Sequence, residues 1–336
     1  LPGGLAVATV GGCAGFGAVC GESLATVITM SAVALPAMRE NNYDLSLATG
    51  SLAAGGTLGI LIPPSIGFII YSMITEESVG KLFAAGVLPG ILLTAIFMTI
   101  IILVVKRRPE IAPLSPVYPL KDKISSLISL IPVIALFLVV VIGILNGWFT
   151  PAEGGALGAV LGFLYALLRR KMTAKSFWET MQRSTAMFGK IFAMFIGLKV
   201  LGAFLATSRL PNVLADAVVS LHVSPYLVLT AIILMYVLLG CVMNIMPMMM
   251  LTLPSIFPTV QAMGFDGVWF GVVLVIVMEM GQITPPVGVN VYMLASLHPE
   301  ISTGTIYKGV LPFFLGMILC IFLVVCFPQI ALFLLN

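Results

Sequence analysis

The sequence predicts an all-α polytopic membrane protein with inverted-topology repeats, each holding a re-entrant helical hairpin and a transmembrane helix broken by a Pro-Pro pair. Three observations predict it. Hydrophobic residues make up 60% of the chain and charged residues 9%, against about 25% charged in a soluble domain, and the mean hydropathy is +1.17. One pattern is written twice, as Pro36, Asp44, Gly59-Ile60-Leu61-Ile62-Pro63-Pro64 and as Pro258, Asp266, Gly281-Gln282-Ile283-Thr284-Pro285-Pro286. Proline to aspartate is eight positions in both copies, and aspartate to the second proline of the pair is twenty in both. Finally, Lys and Arg fall in clusters between apolar runs that reach the roughly 20 residues needed to cross a bilayer.

The first repeat occupies residues 1–85. Its opening stretch, 5–38, is too long for one span and is interrupted at Cys20-Gly21-Glu22-Ser23. It reads as a re-entrant hairpin, whose non-helical tip survives at membrane depth only inside protein or a wet cavity. Asp44 reads as the N-cap of the helix that follows. Pro63-Pro64 then breaks that helix, because proline lacks an N–H and clashes with the preceding turn. An acidic Thr75-Glu76-Glu77 loop closes the repeat.

Residues 86–206 hold spans near 86–105, 127–145, 152–168 and 187–206. The basic clusters Lys106-Arg107-Arg108 with Lys121 and Lys123, and Arg169-Arg170-Lys171 with Lys175 and Arg183, are placed inside by the positive-inside rule. Arg39 is then inside and the Glu76-Glu77 loop outside. Glu153, after Thr150-Pro151, supports the start of its span through the helix dipole. The second repeat, 207–308, repeats the hairpin as 226–239, a break from Gly240 to Pro247, and 248–257. Asp266 caps its broken helix. Three spans separate the copies, and an odd number inverts the second. On this map twelve of the sixteen Lys and Arg lie inside, Lys81 and Arg209 outside, and Lys190 and Lys199 within a span. A last span, 309–336, ends the chain. The absence of an initiator Met before Leu1 is expected of a segment of a longer protein.

Two broken apolar helices at matching places are the best sequence pointer to a transporter binding site. Unwound carbonyls at such breaks coordinate cations, and half-helix N-termini attract anions. Each copy offers one Na⁺ cage. In the first, the tip Gly21-Glu22-Ser23 faces Gly55-Gly56-Thr57 before the proline pair. In the second, Asn244 faces Gly281 and Thr284. The substrate set is Gly21, Glu22, Ser23 and Asn244 with Pro64 and Pro286. Glu279, one turn before the second break, is a possible coupling carboxylate or a structural acceptor. Lys190 is expected to snorkel to the surface, and Lys199 to meet an acid or a partner subunit. The run Met243 to Met250 reads as packing at a moving interface. The five cysteines lie in apolar runs without metal or disulfide spacing and read as free and buried. His222 and His298 lie near predicted surfaces. No triad, phosphate loop or zinc spacing is present, so an enzyme is not expected, and ATP is excluded as a direct power source for this chain.

At Leu1 to Ala6, Val33 to Arg39, Ala53 to Ser65, Phe149 to Glu153 and Gln282 to Gly288 the chain resembles the large membrane subunit of TRAP (tripartite ATP-independent periplasmic) transporters, the DctM-like family. The family tip is usually Gly-Ser-Ser, and here Glu22 stands at the first Ser position. The resemblance implies a Na⁺-driven elevator importer of an organic acid in a bacterial or archaeal inner membrane. Its partners would be a small membrane subunit and a periplasmic substrate-binding protein, with no nucleic acid. Much of 86–206 would form a static scaffold. Two alternatives remain: a stand-alone Na⁺/carboxylate symporter, and a scaffold or channel subunit that carries no solute itself.

Overall fold

The computed structural model describes residues 2–113, 131–132, 135–136, 138–144, 146–209, 211, 213, 220 and 223–335. Lys121, Lys123, His222, much of the expected 127–145 span and most of 214–222 lie outside the described residues. Every described element is helical.

Helices α1 (Gly4–Cys20) and α2 (Ser23–Glu40) form the first hairpin, with Gly21 and Glu22 as its tip. Gly21 has φ +67°, a backbone conformation glycine adopts without penalty. Helices α3 (Leu45–Leu61) and α4 (Ile66–Thr75) are one span bent by 43° at the first proline pair. Asp44 caps α3, its carboxylate accepting from the N–H groups of Ser46 at 2.9 Å and Leu47 at 3.2 Å. Helix α5 (Val79–Arg107) is longer than the 86–105 run suggested and crosses in one piece despite Pro89. Its Leu82, Phe83, Leu93, Phe97 and Ile101 are buried among the hairpin and broken-helix residues.

Helices α6 (Pro151–Leu168) and α7 (Ala174–Ser208) are long, apolar and largely exposed. Thr150 and Glu153 form a reciprocal capping box at the start of α6, a more specific role than the dipole effect. The sequence reading separates a polar stretch at Lys175–Arg183 from a span at 187–206. The chain instead runs as one 35-residue helix, because no Gly-Pro signal between them stops it and Thr173 caps it upstream.

The second repeat follows as α8 (Pro225–Gly240), α9 (Ile245–Ala262), α10 (Gly267–Gln282) and α11 (Val289–Leu297). Its tip is shorter than the expected Gly240-to-Pro247 break. Asn244 caps α9, and Pro247 falls in the first turn, where its missing N–H leaves no intrahelical bond unmade. Both proline pairs contain a cis peptide bond. Helix α12 (Thr303–Cys326) packs mainly along α3, where Gly309 and Gly50 bring the two backbones together, and a short α13 (Gln329–Leu332) ends the described fold. Phe97 of α5 meets Phe313 of α12 edge to face at 5.3 Å between ring centroids. Cys13, Cys241 and Cys320 are buried and free as expected, but Cys20 is half-buried and Cys326 is exposed. Cys326 is the last residue of α12, beyond the packed part of that helix.

The broken helices meet head to tail. Tyr71, near the end of α4, donates its hydroxyl to the carbonyl of Gly267 at the start of α10, at 2.6 Å. At the other end, Arg39 at the foot of α2 pairs with Glu300, just beyond α11. His298 lies 3.6 Å from the same carboxylate.

Candidate functional site

Each hairpin tip is fastened to the residue that restarts the broken helix. The N–H of Ile66 donates to the carbonyl of Gly21 at 3.1 Å, and the N–H of Gly288 donates to the carbonyl of Cys241 at 3.0 Å. Ile66 and Gly288 occupy the same place in the two copies, two positions after the second proline. A proline pair removes two donors and bends the axis, so the freed backbone groups need partners from outside the helix. The tips supply them.

Close backbone approach makes this possible. A Cβ on Gly17 would stand 2.4 Å from the Cα of Gly59, and one on Gly59 would stand 3.0 Å from the carbonyl oxygen of Glu22. The second copy uses Gly240 and Gly281, where a Cβ on Gly281 would lie 2.6 Å from the Cα of Gly240. Gln282 adds a side-chain tie, its amide donating to the carbonyls of Gly240 at 3.1 Å and Met243 at 2.8 Å. Tyr307 donates to the carbonyl of Val287 at 2.8 Å, steadying the chain just past the second proline pair.

The sequence-predicted groups are therefore partly assembled. Glu22 and Ser23 face Gly59 and Gly56 through their backbone carbonyls. Gly21 sits against the carbonyl of Pro64. Gly55 belongs elsewhere: it faces Cys13 and Val10 of α1, since glycines one position apart on a helix point about 100° away from each other. Thr57 and Thr284 are tied to their own helices, donating to the carbonyls of Ala54 and Met280 at 2.6 Å each. Their oxygens keep acceptor capacity. The Asn244 side chain accepts from the N–H of Met246 at 3.3 Å and the Glu22 carboxylate from that of Ala25 at 2.5 Å, so both cap the second arm of their hairpin. These two residues are also equivalent, each twenty-two positions before the aspartate cap.

Glu279 is 1% exposed, and neither carboxylate oxygen has a hydrogen-bond partner among the described residues. Lys199 lies on exposed α7, lines a surface recess with Glu76, and forms no ion pair among the described residues. Lys190 is exposed.

Three contributors escaped the sequence reading. Asn290, wholly buried on α11, has no hydrogen-bond partner for either side-chain polar atom among the described residues. Thr26 donates to the Glu22 carbonyl at 2.8 Å, and Ser65 donates to the carbonyl of Ile60. A lone Asn or Ser just past each proline pair was the available signal. No group of three His, Cys, Asp or Glu able to hold a metal occurs among the described residues. Oxygen-rich, charge-poor surroundings suit a hard cation rather than a soft one.

Helix breaks joined to hairpin tips inside an apolar, multi-span fold define the membrane-embedded subunit of a transporter. The model of the family described as "Tripartite ATP-independent periplasmic transporter, DctM component" matches residues 1–330, and the chain belongs to that family. It is 32% identical to the C4-dicarboxylate TRAP transporter large permease protein DctM of Pseudomonas aeruginosa, over 100% of this chain and 78% of that protein. It is 29% identical to the sialic acid TRAP transporter large permease protein SiaM of Vibrio cholerae, over 94% of this chain and 74% of that one. These relatives are transporter permease subunits, and so is this chain; it is not an enzyme. In fold it is similar to the YdaH transporter of Alcanivorax borkumensis, with a TM-score of 0.56 and 13% identity over 97% of this chain and 85% of that structure.

Proposed function

We propose that this subunit imports an organic acid by coupling it to Na⁺, across a bacterial or archaeal inner membrane. The observation that carries the reading is the pair of tip-to-break hydrogen bonds, Ile66 to Gly21 and Gly288 to Cys241. In each copy they hold freed carbonyls and N–H groups around one point at the break. Carbonyl and hydroxyl oxygens from Ser23, Gly56, Thr57, Gly281 and Thr284 are suited to a hard cation. The N-termini of α2, α4, α9 and α11 offer positive dipole ends to a carboxylate. Relatives named for C4-dicarboxylate and sialic acid transport support a carboxylate-bearing solute.

The head-to-tail meeting of the broken helices supports inverted copies, and inverted copies support alternating access. We assign the moving part to the two repeats with the buried helix α5, and the static part to exposed α6 and α7. The motion is then an elevator, in which the tips carry both ligands past the scaffold. Family membership supports a small membrane subunit and a periplasmic binding protein as partners, which a stand-alone symporter would lack.

The test is thermal stability of the purified subunit with its small partner in NaCl against KCl at equal ionic strength. A ligand that binds only the folded state stabilises it by mass action. A saturable Na⁺-specific rise, reduced by Ser23→Ala or Thr284→Val, is expected. Identical melting in both salts to high concentration would refute Na⁺ coupling.

A further inference from the structure

Helices α5 and α12 pack along one another, and a groove that no residue of the tips or breaks lines runs beside their seam. It has two parts. The first, about 530 Å³, is apolar and is lined by Ile96, Ile100, Leu103, Leu315 and Leu319. The hydroxyl of Thr99, also in its lining, donates to the carbonyl of Ala95 at 2.7 Å and is thus bonded within its own helix. The second part, about 660 Å³, is lined by Arg107, Arg108 and Lys308 together with Asp44. Ile100, Val104, Arg107 and Pro312 line both parts, so one runs into the other.

The charged part is out of balance. Asp44 alone faces three cations, and its carboxylate is engaged in capping α3. Arg107, Arg108 and Lys308 are exposed and form no ion pair among the described residues. Like charges gathered at one place repel, and an anion among them removes the repulsion. Arg107 and Arg108 stand at the end of α5, in a cluster that the positive-inside rule puts at the cytoplasmic surface, the depth of lipid headgroups. Away from them the surface is apolar, with Leu103, Leu311, Leu315 and Leu319 all exposed. From Arg107 back to Ala95 the helix runs about 18 Å at 1.5 Å per residue. One leaflet fills half of a hydrocarbon core of about 30 Å, a comparable depth. A soluble anion would match the charged part alone, and a neutral lipid the apolar part alone.

We propose that this groove binds an anionic phospholipid of the cytoplasmic leaflet, its phosphate held by Arg107, Arg108 and Lys308 and an acyl chain lying between α5 and α12. Basic pockets between spans on that side of a membrane suit such headgroups. The lipid links α5 to α12 at the end where their cations would otherwise push them apart. The site requires neither Na⁺ nor solute, and it stands apart from the coupling reading above.

The experiment is native mass spectrometry of the detergent-purified subunit with its small partner, titrated with dipalmitoyl phosphatidylglycerol or with phosphatidylcholine of the same chains. Phosphatidylglycerol is expected to be retained more tightly. Arg107→Gln or Lys308→Gln, each removing one charge-assisted phosphate contact, should weaken its retention about tenfold. Lys106→Gln is the matched control: it removes the same charge from the same cluster, but Lys106 lines neither part of the groove. Its retention should be unchanged. Thr99→Trp, at an exposed position, keeps every charge and fills the apolar part, so it should weaken retention as well. Equal losses in Lys106→Gln and Arg107→Gln would reduce the effect to diffuse surface charge and overturn the proposal. Equal retention of the two lipids would do the same, as would displacement by millimolar inorganic phosphate, the mark of an anion pocket without a chain. Cross-linking of a Leu315→Cys variant to the small partner or to a second copy in native membranes would give the groove to a protein helix instead.

Discussion

Replacing Gly17 with alanine tests whether close backbone contact holds the first tip in place. A Cβ at Gly17 would stand 2.4 Å from the Cα of Gly59, whereas ordinary contact begins at 3.4 Å, so the two helices must part by 1.0 Å, the difference between those figures. Gly17 accepts from the N–H of Gly21 at 2.7 Å, and the carbonyl of Gly21 in turn holds Ile66 at 3.1 Å. Moving α1 outward by that distance stretches the Ile66 bond beyond hydrogen-bond range. Overpacking costs about 1–3 kcal/mol and the lost bond about 0.5–1.5 kcal/mol. The better helix propensity of alanine offsets up to about 1 kcal/mol. With the full offset the net expectation is a loss of about 0.5–3.5 kcal/mol. Gly15→Ala is the matched control, on the same helix with nothing within 4 Å of its Cβ. It should gain up to about 1 kcal/mol, a gain common to both variants, so they should differ by about 1.5–4.5 kcal/mol. Melting temperature reads the difference, and hydrogen exchange at the Ile66 amide reads its location. Equal melting of the two variants, with Ile66 still protected in Gly17→Ala, would refute the reasoning.

The second tip should depend on a side chain instead. Gln282→Leu removes both donors to the carbonyls of Gly240 and Met243, at a cost of about 1–3 kcal/mol. Faster hydrogen exchange across residues 240–246 is the expected signature, and unchanged protection there would count against the tie. At the far end of the fold, Arg39 holds the Glu300 carboxyl below its ordinary value of 4.5, chiefly through its hydrogen bond, with a smaller contribution from His298. A carboxyl lowered in the folded state contributes stability that is present above that value and is lost as pH falls through the folded one. Glu300→Gln should therefore lower stability slightly at neutral pH and flatten the acid limb, the two proteins converging as pH falls below 4.5. An acid limb that is the same in both proteins would exclude the pair as its source.

Much of this protein was legible before any coordinates, because the decisive signals are local. A proline removes a donor wherever it stands, an aspartate ahead of an apolar run caps it, and a residue count between two such signals survives folding unchanged. So the broken helices, the caps at Asp44 and Asp266, and the hairpins before them could be placed to within a few residues. The errors were local as well. Pro247 resembled a helix breaker but sits in the first turn of α9, and the polar stretch at Lys175–Arg183 resembled a loop but continues α7. What the sequence could not determine is which residues meet across the fold. Gly56 and Gly59 face the first tip while Gly55 faces α1, and Arg39 reaches Glu300. Those pairings depend on the rotation of each helix about its axis and on the packing of elements more than two hundred positions apart. Burial is decided there too, and it leaves the acid Glu279 in an apolar run without a hydrogen-bond partner among the described residues.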